Sequence, residues 1–271
     1  MEKNKRPPPL PNAPPLHVET RNRATIITLN RPDKLNAFND AQYDALTAAL
    51  RDAAADPNVA CAVITGAGRA FTAGQDLAEL ESPPQYTDGQ PHGFEPFMDQ
   101  LQTFPKPLIA AVNGIGVGIG LTMLLHCDIV LMAESARLRA PFVSLGVTTE
   151  AGSSALLPAR IGWAAASHLL YTASWMSAAE VVATGLAYRA VPDDQLLPDT
   201  LGLAEKFAGL PIPSLAATKQ LLLAARNDTV HAARHREFNI FRNLRTGPAA
   251  REARAAFREK REPNFINLPA E

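Results

Sequence analysis

Apolar positions along the first half of this chain fall into two alternating rhythms. In HVETRNRATIITLN they form two short strands joined at Arg21-Asn22, the second alternating Ala24, Ile26 and Thr28 against Thr25, Ile27 and Leu29. At Asn39, a side chain suited to an N-cap, the spacing changes. Tyr43, Leu46, Ala49, Leu50 and Ala53 line one stripe of a helix predicted to run to about Ala55. Residues 59–65 read as a buried strand closed by the glycines of GAGRAFTAGQD. Residues 82–96, rich in glycine, proline and aspartate, read as a mobile loop. A second buried strand, Leu108–Val112, leads through a glycine run into a helix starting near Gly118, and 128–132 form the next strand. Beyond Glu150 helical spacing dominates, over 159–171, 177–184, 194–208, 214–226 and most of 230–260. Strands alternating with helices, followed by helices alone, predict one α/β domain with a helical C-terminal part and no linker between independent units. No fixed-period repeat is visible in the sequence.

Composition sharpens this picture at the N-terminus. Six of the first fifteen residues are proline (Pro7, Pro8, Pro9, Pro11, Pro14 and Pro15), which favours extended conformations and excludes helix or central sheet. The expected organisation is a disordered proline-rich arm over 1–16, a core over 17–200 and a C-terminal helical region over 201–271. The 26 basic and 27 acidic residues leave a formal charge of −1, which excludes a global electrostatic grip on nucleic acid. Cys61 and Cys127 each sit in an apolar run, as buried reduced thiols would in a reducing, cytoplasmic setting. No basic stretch precedes an apolar one at the N-terminus, so no secretory signal is expected. Residues 107–127 carry no formal charge over 21 positions, the length of a membrane span. Glycines at 114, 116, 118 and 120 and the polar Asn113 argue instead for strand, tight turn and helix inside a core.

Two glycine-bearing turns recur in one context, after a buried strand and before a helix: AVITGAGRAFTAGQDL and LIAAVNGIGVGIGLTM. Neither is a nucleotide fingerprint. The second lacks the G-x-G-x-x-G phase, and no lysine follows as in a P-loop. Small residues at such turns permit close packing, and that alone accounts for the pattern. The functional reading is that backbone N–H groups of both turns converge as an oxyanion hole, with the positive end of the Gly118 helix behind one of them.

NRPDKLNAFN, ITGAGRAFTAGQDL, KPLIAAVNGIGVGIGLTMLLHCDIVLMAESARL and AAFREKREPNF, in that order, resemble the enoyl-CoA hydratase/isomerase (crotonase) superfamily over about residues 17–265. The resemblance implies a spiral of ββα repeats with C-terminal helices that build a homotrimer, often a dimer of trimers. It implies an acyl-CoA thioester as substrate, with CoA part of the substrate and no separate cofactor or metal. The two backbone amides that bind the thioester oxygen fall on Gln75 and Ile119, the latter beside Gly120. CoA-contacting positions fall on Lys34, Leu35, Ala37, Ala73, Gly74, Asp76 and Leu77, with Phe257 and Lys260 supplied by a neighbouring subunit. Asp76 reads equally well as an N-cap of DLAEL.

The departures from the family pattern are informative. The two glutamates of the hydratases correspond to Thr122 and Phe142, and neither side chain titrates near neutral pH. Water addition by two carboxylates is therefore not expected. A carboxylate reappears at Glu150 in PFVSLGVTTEAGSS, a segment similar to that of the Δ3,Δ2-enoyl-CoA isomerases, in which one glutamate is the base. Ala151 stands where many relatives have glycine. One base suffices to move a double bond from C3–C4 to C2–C3 through a dienolate. Burial among Phe142, Val143 and Leu145 would raise its pKa, and a helix starting after a Thr149 cap would lower it. Without the resemblance, Glu150 reads as an acidic residue in a first helical turn. Ring-opening isomerisation of an aromatic epoxide is the alternative single-base reaction, and a non-catalytic oligomeric or RNA-binding relative the alternative class.

Three weaker features remain. His231 and His235 are one helical turn apart, but no third ligand is near and Arg234 and Arg236 oppose a cation. His126 reads as a packed core histidine. Residues 231–261 hold nine Arg or Lys against three Glu, suited to solvated helix faces or CoA phosphates. Without interleaved aromatics the run does not read as an RNA site.

Overall fold

The computed structural model describes residues 14–82 and 84–268, so the proline-rich arm lies outside the described residues as far as Ala13. The chain enters as an antiparallel hairpin of β1 (Leu16–Arg21) and β2 (Ala24–Leu29). It turns at Asn22 and Arg23, both at positive φ, one residue later than the sequence suggested. α1 (Asp40–Ala55) follows, and the Asn39 side chain accepts from the Gln42 amide at 3.1 Å. All five residues of its predicted stripe are buried.

From here the chain climbs in repeated units. β3 (Cys61–Gly66) and β4 (Ala70–Thr72) precede α2 (Leu77–Glu81) and α3 (Phe94–Gln102). β5 (Leu108–Val112) and β6 (Ile115–Val117) precede α4 (Ile119–Thr122), which continues as a 3-10 turn over Met123–His126. β7 (Ile129–Ala133) and β8 (Arg137–Arg139) precede α5 (Ser153–Ile161) and α6 (Trp163–Thr172). β9 (Trp175–Ser177), α7 (Ala178–Ala183) and β10 (Arg189–Val191) close the series. Within each of the three full units the first strand joins one sheet and the second joins the other. The larger sheet runs β1-β2-β3-β5-β7-β10 and the smaller β4-β6-β8-β9. This is a spiral of ββα units, a repeat of shape that leaves no fixed period in sequence because the connections differ in length.

The strands between β2 and β10 in the large sheet are parallel and covered on both faces, and β3 and β5 are accordingly apolar without alternation. Cys61 and Cys127 are buried free thiols whose pKa values burial pushes up to about 11 and about 12. The uncharged run 107–127 resolves into β5, β6, α4 and the 3-10 turn, and no helix among the described residues is long and apolar enough to cross a membrane.

Several elements differ from expectation. The loop expected over 82–96 ends early, because α3 starts at Phe94 and buries Phe97, Met98 and Leu101. The helix expected over 159–171 is two, α5 and α6, divided at Gly162, whose φ of 80° breaks the helical path. The one expected over 230–260 is likewise α10 (Asn227–Leu244) and α11 (Pro248–Glu259), divided before Pro248, a residue that starts helices and cannot continue them. α8 (Leu196–Ala208) and α9 (Ile212–Ala224) lie close to their predicted bounds. β4, β6, β8, β9 and β10 were not anticipated, since three residues are too few to show a period of two.

One buried side chain stitches the loop between β2 and α1 to the first repeat. Asn36, fully buried at φ 56°, accepts from the Arg31 amide at 2.9 Å and donates to the carbonyls of Ala67 and Ala70 at 2.9 and 2.8 Å. Its own carbonyl accepts from Thr72 Oγ1 at 2.7 Å and Gln42 Nε2 at 3.2 Å. Asn36→Ala strands the Arg31 amide and the Ala67 carbonyl, leaves the Ala70 carbonyl with only the longer bond from Asn113 at 3.3 Å, and places alanine in the left-handed region. It is expected to cost about 3 kcal/mol, read by chemical denaturation.

Candidate functional site

β4 and β6 are parallel neighbours, with Ala70 opposite Ile115 and Thr72 opposite Gly116. Their C-terminal ends therefore point the same way, and each strand leads through a glycine into the start of a helix. The two turns touch backbone to backbone. A Cβ on Gly74 would sit 2.8 Å from the Val117 carbonyl oxygen, and one on Gly120 would sit 2.7 Å from Thr72 Cγ2 and 3.0 Å from the Thr72 carbonyl oxygen. Gln75 directly follows Gly74, and Ile119 directly precedes Gly120. Ile119 is the first residue of α4, where an amide has no partner within its own helix, and among the described residues the Gln75 amide meets no acceptor.

The segment around Lys34, Leu35 and Ala37 lies along the first of these turns. Ala73 donates to the Leu35 carbonyl at 2.9 Å, Phe38 to Gly74 at 2.7 Å, and Asp76 to Phe38 at 2.7 Å. Arg31 fastens the pair, donating to the Ala37 carbonyl and pairing with the Asp76 carboxylate at 2.9 Å. Asp76 also caps α2, accepting from the Ala78 amide at 3.2 Å, so its N-cap reading holds. The structure thus brings Lys34, Leu35, Ala37, Ala73, Gly74, Gln75, Asp76 and Leu77 into one cluster, with Ile119 and Gly120 against it. Phe257 and Lys260 do not join it in a single chain. They lie exposed at the C-terminal end of α11, a helix that packs on the turn around Val143–Leu145.

Glu150 approaches from the other side. Thr122, fully buried at the end of α4, donates from Oγ1 to the Glu150 carboxylate at 2.5 Å. Burial pushes this carboxyl up to about 8; the Thr122 hydrogen bond and Arg234 pull it down, while Glu237 and Glu95 push it further up. The residue as a whole keeps partial exposure. The expected surroundings need correction: Phe142 is buried, but Val143 and Leu145 are 42% and 37% exposed. The Thr149 cap is also absent. α5 starts at Ser153 with Gly152 as N-cap, and the Thr149 hydroxyl lies 2.5 Å from the Ser153 hydroxyl. Glu150 therefore stands in the turn before α5, not in its first turn.

A profile of the family described as Enoyl-CoA hydratase/isomerase matches residues 19–267. The chain belongs to the enoyl-CoA hydratase/isomerase family. It is 35% identical to a probable enoyl-CoA hydratase of Rhizobium meliloti over 92% of this chain and 97% of that protein. It is 34% identical to the 1,2-epoxyphenylacetyl-CoA isomerase of Escherichia coli over 92% of this chain and 96% of that protein. The crystal structure of an enoyl-CoA hydratase/isomerase from Pseudoalteromonas atlantica, 37% identical, superposes with a TM-score of 0.90 over 93% of this chain and all of the other. The protein is thus a crotonase-family enzyme of CoA thioesters.

This family member also organises its site with residues that the sequence did not single out. Tyr43 donates to the Gln75 side-chain oxygen at 3.0 Å and packs its ring at a tilt against Phe38 and Phe97 and edge-on against Phe94. Burial, then the charge of Glu150, holds its phenol well above the usual range, so it stays a donor. His126 is a packed core histidine, as expected, with Nε2–H donating to the Ala151 carbonyl at 2.8 Å. Among the described residues no group of His, Cys, Asp and Glu is placed to hold a metal ion. Only proximity across the fold, invisible to motif spacing, could have revealed Tyr43.

The contact between the two turns gives a test. Glycine to alanine in an unconstrained helix stabilises by about 1 kcal/mol. At Gly120 the added methyl meets Thr72 instead, so Gly120→Ala is expected to destabilise by about 1–3 kcal/mol in chemical denaturation. It is also expected to weaken acyl-CoA binding measured by calorimetry.

Proposed function

We propose that this chain isomerises a CoA thioester with a single carboxylate, moving a double bond from C3–C4 to C2–C3. The observation that carries this reading is the withdrawn Glu150 carboxyl held at 2.5 Å by Thr122, directly beside the paired glycine turns. Thr122 and Phe142, at the positions of the two hydratase glutamates, leave Glu150 without a second carboxylate to activate water.

In the proposed reaction the thioester oxygen lies between the Gln75 and Ile119 amides. Glu150 takes a proton from C2; the C2–H pair becomes the new C2–C3 double bond as the C3–C4 pair shifts, by way of a dienolate whose charge rests on the oxygen. The same carboxyl then returns the proton to C4. Atoms and electrons balance within the substrate, so no cofactor is required. The CoA moiety runs along Lys34, Leu35, Ala37, Ala73, Gly74, Asp76 and Leu77, and the exposed Phe257 and Lys260 meet the CoA of a second copy in a homotrimer.

A second reading is favoured by one comparison. The relative named 1,2-epoxyphenylacetyl-CoA isomerase also isomerises a CoA thioester, and a 34% identity over most of both chains supports ring-opening of an epoxide at the same carboxylate.

Glu150→Gln keeps the shape and the Thr122 contact but removes the base. Turnover of a 3-enoyl-CoA, followed as formation of the conjugated 2-enoyl product, is expected to fall 10²–10⁴-fold, of the order of about 10²–10⁴ for a positioned base. Unchanged turnover overturns the assignment, and turnover confined to an epoxide thioester selects the second reading. The pH dependence has a fixed sign. The base must be ionised and its pKa is raised to about 8, so kcat/KM should climb about tenfold per pH unit below that value and level off above it.

A further inference from the structure

The backbone that carries Glu150 follows a costly path. Ala151 sits at φ 62° and Gly152 at φ 75°, and a left-handed residue with a Cβ persists only where its surroundings over-determine it. Gly152, the N-cap of α5, has no side chain to satisfy the free amides of that helix. The missing acceptor comes from α10. Glu237, 5% exposed, accepts from the Gly152 amide at 2.7 Å through one oxygen and from the Ser154 amide at 2.8 Å through the other. A buried carboxylate is costly unless fully hydrogen-bonded, and here both oxygens are engaged at the positive end of a helix. α10 also closes on the turn sterically, since a Cβ on Gly152 would lie 2.9 Å from Val230 Cγ1. From the opposite side the neutral His126 ring donates to the Ala151 carbonyl at 2.8 Å.

We infer that Glu237 is the positioning residue of the reaction, fixing from outside the Ala151–Ser154 turn that aims the Glu150 carboxyl at Thr122 and the glycine turns. This rests on the reading of Glu150 as the base. Glu237 does not reach the substrate; it acts through the turn and through its charge. The groups facing Glu150 are Thr122 from α4, Tyr43 from α1, Glu95 from α3, and Arg234 and Glu237 from α10. Arg234 is itself held by Glu95 at 3.0 Å and Asp99 at 2.8 Å. The negative charge of Glu237 opposes ionisation of Glu150, so removing it moves the ionisation to lower pH.

The test compares Glu237→Gln and Glu237→Asp with Glu150→Gln in the full chain, using a 3-enoyl-CoA as substrate. Glu237→Gln loses the charge and turns an amide N–H₂ toward a backbone N–H. Its kcat is expected to fall about 10–100-fold with KM within a factor of two, as for a misplaced reacting group, and its pH limb to move down. Glu237→Asp keeps the charge on a shorter arm. It is expected to lose kcat while its limb stays at the parent position, which a loss of stability alone would not produce. If Glu237→Gln retains parent kcat and limb while Glu150→Gln is inactive, the positioning role is wrong and the base stands. If both glutamate variants move the limb equally, the charge is not the cause and the inference fails. If Glu150→Gln keeps parent turnover, the reading beneath the inference fails instead.

Discussion

The site depends on two turns approaching to a distance that only backbone allows. Gly74 lies against the Val117 carbonyl and Gly120 against Thr72, each where a methyl group would collide with its neighbour. Such an approach needs adjacent parallel strands, which β4 and β6 provide, with a shift in register between Ala70 and Thr72. These strands have three residues each, too few to hold their register alone, and the rest of the first repeats holds it for them. Asn36 ties Ala70 to the preceding loop, and Asn113 joins β5 to the same carbonyl at 3.3 Å and to Gly68 at 3.0 Å. The inner strands of the large sheet behind them, β2, β3, β5 and β7, are almost wholly buried, so the small sheet takes its positions from a close-packed core.

Against that fixed frame the electrostatics of Glu150 follow from what surrounds it. Desolvation favours the neutral acid, and the nearby carboxylates Glu237 and Glu95 add to it; Thr122 and Arg234 favour the anion. The balance leaves a carboxyl that changes charge within reach of neutral pH, where a free glutamate is a weak base that has already lost its proton. A helix dipole contributes less than the sequence suggested, because the carboxyl stands outside α5 and the amides of that helix are turned to Glu237.

Much of this was legible beforehand, for identifiable reasons. The stripe from Tyr43 to Ala53, the cap at Asn39 and the all-apolar strands follow from periodicity and local chemistry, which a single segment carries in full. The alternating glycines pointed to a close backbone approach and the family resemblance to its purpose. What stayed hidden is long-range. No local rule announces that Glu237 caps a helix 83 residues earlier in the chain, or that Tyr43 reaches Gln75 across 32 residues. Strands of three residues show no alternation, and Thr149 looked like a cap because the left-handed Ala151-Gly152 pair that delays α5 has only one glycine to betray it.

A proton shuttle must serve as base and then as acid without moving, and the Thr122 hydroxyl suits the proposed base to both tasks. It has one proton and two neighbours, the Glu150 carboxylate at 2.5 Å and the Gly118 carbonyl at 3.4 Å. When Glu150 is ionised the hydroxyl donates to it. When Glu150 holds the substrate proton, the carboxylic acid can donate to the hydroxyl oxygen, and the hydroxyl proton can turn to Gly118. Neither protonation state then leaves a buried polar atom without a partner, so the cost of burying the carboxyl does not rise as the reaction proceeds. A second glutamate at position 122 would have offered charge repulsion instead. In the proposed reaction the threonine that stands there is what makes a lone carboxylate workable in both of its charge states.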